Sequence, residues 1–220
     1  MDGFGMLKIS ASLLSADFCS LGRDIESVGN ADRLHFDVMD GVFVPNISIG
    51  IPVLKSVRQF TDMPIEVHLM ITAPARYVSR FAAAGADSVI FHAEADSVQN
   101  IIKSIQILRD LQKRAGLSLR PKTPPEALLP YIDTLDSILV MAVEPGFGGQ
   151  KFMDDQLRKI EFFRNFIDLH GIRCEIAVDG GINRETAKLA RSAGADVLVA
   201  GHYIFSSADR RERIASLRSD

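Results

Sequence analysis

Three short segments carry histidine and aspartate at spacings that suit metal chemistry. In Arg33-Leu34-His35-Phe36-Asp37-Val38-Met39-Asp40-Gly41 a period of two puts His35, Asp37 and Met39 on one face of an extended strand. Glu66-Val67-His68-Leu69-Met70 aligns Glu66, His68 and Met70 in the same way, and Cys174-Glu175-Ile176-Ala177-Val178-Asp179-Gly180-Gly181 ends on Asp179 before two glycines. Two imidazoles and two carboxylates converging from three strands form a four-ligand site for one divalent metal ion such as zinc, iron, manganese or cobalt. Each histidine taken singly reads as structural. As a set they do not, because four ionisable groups sharing one site are costly to desolvate without a compensating cation.

Other residues suggest what such a site would hold. Glycines in Glu144-Pro145-Gly146-Phe147-Gly148-Gly149-Gln150 can turn successive backbone N–H groups toward an anion, and Gly201-His202 is a second candidate. A merely flexible turn is the other reading of that loop. Met39, Met70 and Met141 share the parity of the polar face, as core packing or as an apolar wall around a reactive species. Lower in their strands, Glu66, Glu175 and Arg120 are expected to form an interior polar cluster in which Arg120 offsets the acids. His92, beside Glu94, reads as a satisfied structural histidine, with a hydrogen bond to a metal ligand as the alternative. His170 reads as a helix cap.

These groups need strands to present them. Eight apolar or β-branched runs recur, at residues 8–14, 34–39, 65–71, 88–92, 117–120, 137–143, 175–179 and 197–201. Segments of helical periodicity follow them, near 21–28, 52–59, 75–84, 98–114, 125–131, 156–170, 184–192 and 210–217. Strict alternation implies a parallel sheet with crossover helices. His35, Asp37, His68, Glu94, Glu144 and Asp179 fall at or beyond the C-terminal ends of five strands, which favours a closed α/β (β/α)8 TIM barrel over an open sheet. A weak repeat, Ala-Gly-Ala-Asp at 84–87 and 193–196, reads as two equivalent helix-to-strand turns.

The chain of 220 residues suits one such domain, 1–220. A net charge of -3 excludes a global bias toward nucleic acid or anionic membrane, so an anionic ligand needs a local site. Cys19 and Cys174 sit in apolar stretches without metal-ligand spacing, which fits a reducing cytoplasm. No membrane span or targeting pattern is expected.

Taken in order, Ser12-Leu13-Leu14-Ser15-Ala16-Asp17-Phe18, His35 to Gly41 continuing through Phe43-Val44-Pro45-Asn46, Val67-His68-Leu69-Met70, Val143 to Gln150 and Val178-Asp179-Gly180-Gly181 resemble the ribulose-phosphate 3-epimerase family over nearly the whole chain. The resemblance implies metal binding by His35, Asp37, His68 and Asp179, with Asp37 and Asp179 as the acid/base pair. It implies substrate contact by Ser12, phosphate binding by Gly146, Phe147, Gly148, Gly149, Gly180, Gly181, Gly201 and His202, and a homo-oligomer. The expected reaction is inversion at C3 of D-ribulose 5-phosphate to give D-xylulose 5-phosphate, with D-allulose 6-phosphate as the alternative substrate and a non-catalytic sugar-phosphate binder as a further one. Three positions depart from the family pattern: Ala11 for Pro, Arg120 for Asn, and His202 for a Ser that would donate to phosphate. Barrels that decarboxylate orotidine phosphate or perform aldol chemistry interleave lysine with their aspartates, and Asp37-Val38-Met39-Asp40 has none.

Overall fold

The computed structural model describes residues 6–219. Eight parallel strands close on themselves in chain order: β1 Lys8–Ser12, β2 Arg33–Met39, β3 Ile65–Met70, β4 Ser88–His92, β5 Arg114–Leu119, β6 Ser137–Met141, β7 Glu175–Asp179 and β8 Val197–Ala200. Around them lie α1 Leu21–Ser27, α2 Ile51–Phe60, α3 Val78–Ala83, α4 Val98–Asp110, α5 Leu157–His170, α6 Arg184–Ser192, α7 His202–Phe205 and α8 Arg210–Arg218. This is the expected TIM barrel. Alternation in β2 divides two environments: Leu34, Phe36 and Val38 join the apolar layer under the helices, while His35, Asp37 and Met39 point into the barrel. Burying a side chain such as Phe36 contributes about 1.5–3 kcal/mol.

The Ala-Gly-Ala-Asp repeat belongs to a wider pattern. Asp87 and Asp196 each accept the backbone N–H of a residue in the preceding strand, from Ile65 and Ile176 at 2.8 Å. Asp32 does the same for Ile9, and Asp136 for Ala115. Thus each even-numbered strand is preceded by an aspartate that pins the start of its odd-numbered neighbour. Such charge-assisted bonds are shorter and stronger than neutral ones.

Several expected boundaries move. The helix expected over 98–114 stops at Asp110, because Gln112 takes the left-handed conformation (φ 55°) usually given to glycine. Strand β5 therefore begins at Arg114 and ends at Leu119, so Arg120 lies beyond its C-terminal end. The helix expected at 125–131 is a 3₁₀ turn, Pro125–Leu128, and α7 is too short to show periodicity in the sequence. Cys19 is exposed rather than in an apolar setting, whereas Cys174 is buried.

The interior polar cluster exists without Arg120. Through strand pairing Glu175 is level with Ser137 and Gly116, four residues below Arg120, or about 13 Å of strand. The cation is Arg33, which donates to Glu66 at 3.0 Å and to Glu175 at 3.1 Å; Arg114 donates to Glu175 at 2.7 Å. Burial opposes the charge on Arg33, yet these carboxylates raise its pKa. Removing one member of a buried pair typically costs about 3–5 kcal/mol. Arg33→Met is therefore expected to lose stability in this range in a urea titration at pH 7, and Arg120→Met distinctly less; the reverse order would contradict the assignment.

Candidate active site

His35 and Asp37 on β2, His68 on β3 and Asp179 at the end of β7 meet at the C-terminal mouth of the barrel. One donor atom from each lies within 4.8 Å of all the others. His35 Nε2 is 3.2 Å from Asp37 Oδ1 and 4.0 Å from Asp179 Oδ2, and His68 Nδ1 is 3.3 Å from Asp37 Oδ1. The two rings expose different nitrogens because they are held from behind differently. His35 Nδ1 faces Glu66 Oε1 at 3.0 Å, joining the site to the Arg33 cluster, while His68 Nε2 faces His92 Nε2 at 3.0 Å. Two nitrogens and two carboxylates at this spacing suit one divalent ion.

Electrostatics separates the two aspartates. Burial works against the charge on Asp37, but His35, His68 and a 2.7 Å hydrogen bond donated by Ser12 hold it ionised, well below the usual carboxylate range. Burial, with the charges of Asp37 and Glu66, pushes Asp179 up to about 7 despite His35. His35 is raised well above its ordinary value: burial lowers it, but Asp37, Glu66 and Asp179 prevail. For His68 burial dominates and brings it down to about 4. Without a cation, protons on His35 and Asp179 offset the charge of these acids, and a divalent ion would take their place.

Above them opens a cavity of about 410 Å³. Ser12, Asp37, Asp179, Met39, Met70 and Met141 form its floor, and Gly146, Phe147, Gly148, Gly149, Gly180, Gly181, Gly201 and His202 its rim. His35 and His68 lie beneath, fully buried. Asn46 donates to the Gly146 carbonyl at 2.8 Å, and Gln150 to the carbonyls of Glu144 and Phe147, so the glycine loop is tied down while the Phe147 ring stays 55% exposed at its tip. Glycine is required at 181, where φ is +65° and a Cβ would meet the Phe152 backbone, while at 201 a Cβ would stand 2.6 Å from Ser15 Oγ and displace that hydroxyl from the cavity wall.

Of the six polar residues expected at the mouth, Glu144 is exposed outside the cavity and Glu94 stands behind His92. Arg120 packs over the Phe43 ring, 4.1 Å from its centroid. The cavity also includes Ser15, Asn183, Tyr203 and Ser206, which the sequence reading leaves out. Ser15 stands three residues after Ser12 in the same motif, a signal open to sequence reasoning; Ser206 follows the unforeseen α7.

Solved barrels share this architecture. 3-Keto-L-gulonate-6-phosphate decarboxylase from Vibrio cholerae aligns with a TM-score of 0.73 at 16% identity, covering 97% of this chain and 96% of that one. 3-Hexulose-6-phosphate synthase from Salmonella typhimurium gives 0.75 at 18%, covering 96% and 97%. These likenesses define the class, a closed (β/α)8 barrel. The family is narrower: residues 8–205 match the ribulose-phosphate 3 epimerase family model. Ribulose-phosphate 3-epimerase of Bacillus subtilis (strain 168) is 46% identical over 216 residues, 97% of this chain and 99% of its own length. That of Synechocystis is 41% identical over 213, covering 96% and 93%. The chain belongs to the ribulose-phosphate 3-epimerase family and is an enzyme of the isomerase class.

In chelator-treated protein, the Asp179 carboxyl carbon is expected to titrate near pH 7 by ¹³C NMR, with Asp37 ionised from pH 5 to 9. A site that takes up a divalent ion must shed the protons on Asp179 and on His35 Nε2, so affinity should rise with pH through 7 and go on rising above it. Affinity that stays flat from pH 5 to 7 would count against this charge assignment.

Proposed function

We propose that this chain interconverts D-ribulose 5-phosphate and D-xylulose 5-phosphate by moving a proton at C3. The observation that carries the reading is the pair of carboxylates, Asp37 and Asp179, brought from non-adjacent strands to one small volume at the floor of the cavity. Inversion requires a base on one face of C3 and an acid on the other, and one carboxyl must hold a proton while its partner is ionised. The opposed pKa shifts of Asp37 and Asp179 support that division. In one direction Asp37 takes the C3 proton while Asp179 delivers one to the opposite face; in the other the roles exchange.

His35, Asp37, His68 and Asp179 would hold one divalent ion, zinc, iron, manganese or cobalt, which when bound offsets the negative charge that develops on the ketose oxygens. Ser12 orients Asp37 through its 2.7 Å hydrogen bond. Met39, Met70 and Met141 exclude water from the reacting carbon. The phosphate would be received by backbone N–H groups of Gly148, Gly149, Gly180, Gly181 and Gly201 with the His202 ring and the Ser15 hydroxyl beside them, and its binding far from C3 would draw the Phe147 loop over the ketose.

Acid–base groups of this kind typically contribute about 10²–10⁴-fold. Asp37→Asn and Asp179→Asn are each expected to lower kcat by at least about 10²-fold and to slow solvent deuterium uptake at C3; near wild-type turnover in both would reject the mechanism. A coupled assay comparing ribulose 5-phosphate with allulose 6-phosphate, before and after chelator, tests substrate and metal together. The pentulose phosphate should turn over faster, and chelator should abolish both rates.

A further inference from the structure

The hairpin that follows β2 holds the glycine loop from outside the cavity. Asp40 pairs with Ile47 in an antiparallel bridge, and one of its carboxylate oxygens accepts the backbone N–H groups of Val42 and Phe43 at 2.9 and 2.8 Å. The other oxygen accepts both the N–H and the hydroxyl of Thr72, just after β3, at 2.8 Å each. Arg120, just after β5, donates to the Phe43 carbonyl at 2.5 Å. The hairpin is thus closed on itself and tied to two other loops.

Asn46 rides on this frame. Its carbonyl accepts the Gly41 N–H at 2.9 Å, and its side-chain amide donates to the Gly146 carbonyl at 2.8 Å, 100 residues along the chain. Gly146 lines the cavity and Asn46 does not. Val44 and Pro45 flank Gly146, 3.4 and 3.6 Å from where a Cβ on it would stand. A trans peptide is planar, so its C=O and N–H point in opposite directions, and the described residues include no cis bond. Drawing the Gly146 carbonyl outward to Asn46 therefore turns the Phe147 N–H the other way, toward the cavity. No described residue accepts that N–H, nor those of Gly148 and Gly149. Gly146 itself, at φ +129°, has no side chain to resist rotation of this peptide, and the rotated form would offer an anion a carbonyl oxygen in place of a donor.

We propose that Asn46 is a positioning residue for the phosphate group: by holding the Gly146 carbonyl away from the cavity, it keeps the Phe147 N–H turned inward as a donor. This rests on the phosphate reading above and extends it by one donor and by a residue outside the cavity wall. The hairpin also touches the proposed acid/base pair, because the Ser48 hydroxyl donates to the Asp37 carbonyl at 2.6 Å and accepts the Met39 N–H at 3.0 Å. Collapse of the hairpin would disturb Asp37 and lower kcat. Loss of the Gly146 bond alone leaves Ser48 and Asp37 in place and weakens only the hold on phosphate.

Steady-state kinetics and an NMR titration with inorganic phosphate separate these roles, with circular dichroism to verify the fold. Asn46→Ala should raise the KM for ribulose 5-phosphate and the Kd of inorganic phosphate together, each by about 10-fold, the scale of one weakened hydrogen bond to a charged group, with kcat within about twofold of wild type. In ¹⁵N-labelled wild type, saturating phosphate should move the Phe147 amide proton downfield, and in Asn46→Ala much less. Unchanged KM and Kd in the folded variant, or a fall in kcat that matches the rise in KM, overturns the proposal. A wild-type Phe147 amide that phosphate leaves unmoved overturns it without any variant. If the Gly148 and Gly201 amides still respond, the phosphate reading stands and the role of Asn46 alone is refuted; if none responds, both fall.

Discussion

Two carboxylates held together inside an apolar barrel repel each other and resist desolvation, and the rest of the site is arranged around that constraint. Asp37 and Asp179 escape it differently. Asp37 is buried to 4% exposure and surrounded by His35, His68 and the Ser12 hydroxyl, which keep its charge in place. Asp179 opens to the cavity, with 19% exposure, and in the absence of a cation finds relief by holding a proton. The same geometry that makes the pair unfavourable would serve the proposed proton transfer, because neighbouring carboxyls forced into opposite protonation states can act as an acid and a base at one pH.

Precision at the mouth depends on charge buried lower down. Arg33 sits between Glu66 and Glu175, and Glu66 passes this order upward by receiving His35 Nδ1. Removing Arg33 would therefore strip Glu66 of its guanidinium, while Glu175 keeps Arg114, and would also loosen a ring that faces Asp37. The four aspartates ahead of the even-numbered strands act on the same edge, fixing where each odd-numbered strand begins. With register set at the bottom, a period of two carries His35, Asp37 and His68 to the mouth at fixed height.

Much of this is legible from the residues. Alternation within β2 and β3 separates the inward His35, Asp37, His68 and Met70 from outward neighbours, because a residue's face in a barrel strand follows from parity once one polar position is known to point inward. Height along a strand is less legible. Parity alone puts Arg120 with Glu66 and Glu175, and that placement fails because the end of α4 is marked by Gln112, a residue that gives no breaking signal. Two of the four bracing aspartates stand out through their Ala-Gly-Ala context; Asp32 and Asp136 have no such context, and their role depends on contacts between strands.

The position of His92 in the site has a similar origin. Level with Glu66 on β3 stands His35 on β2, so a carboxylate can back that imidazole directly across one pair of strands. Level with His68 on β4 stands Ile90, which belongs to the apolar interior. A carboxylate there would bring a third acid beside Asp37 and Asp179 and deepen the repulsion the site already carries. Backing for His68 must come from farther up β4, and His92, two residues along on the same face, spans the gap to Glu94 in the loop. One histidine can thus be backed by an acid at close range, where Arg33 neutralises it, and the other by an acid kept at a distance; the difference follows from which neighbouring position could bear a charge.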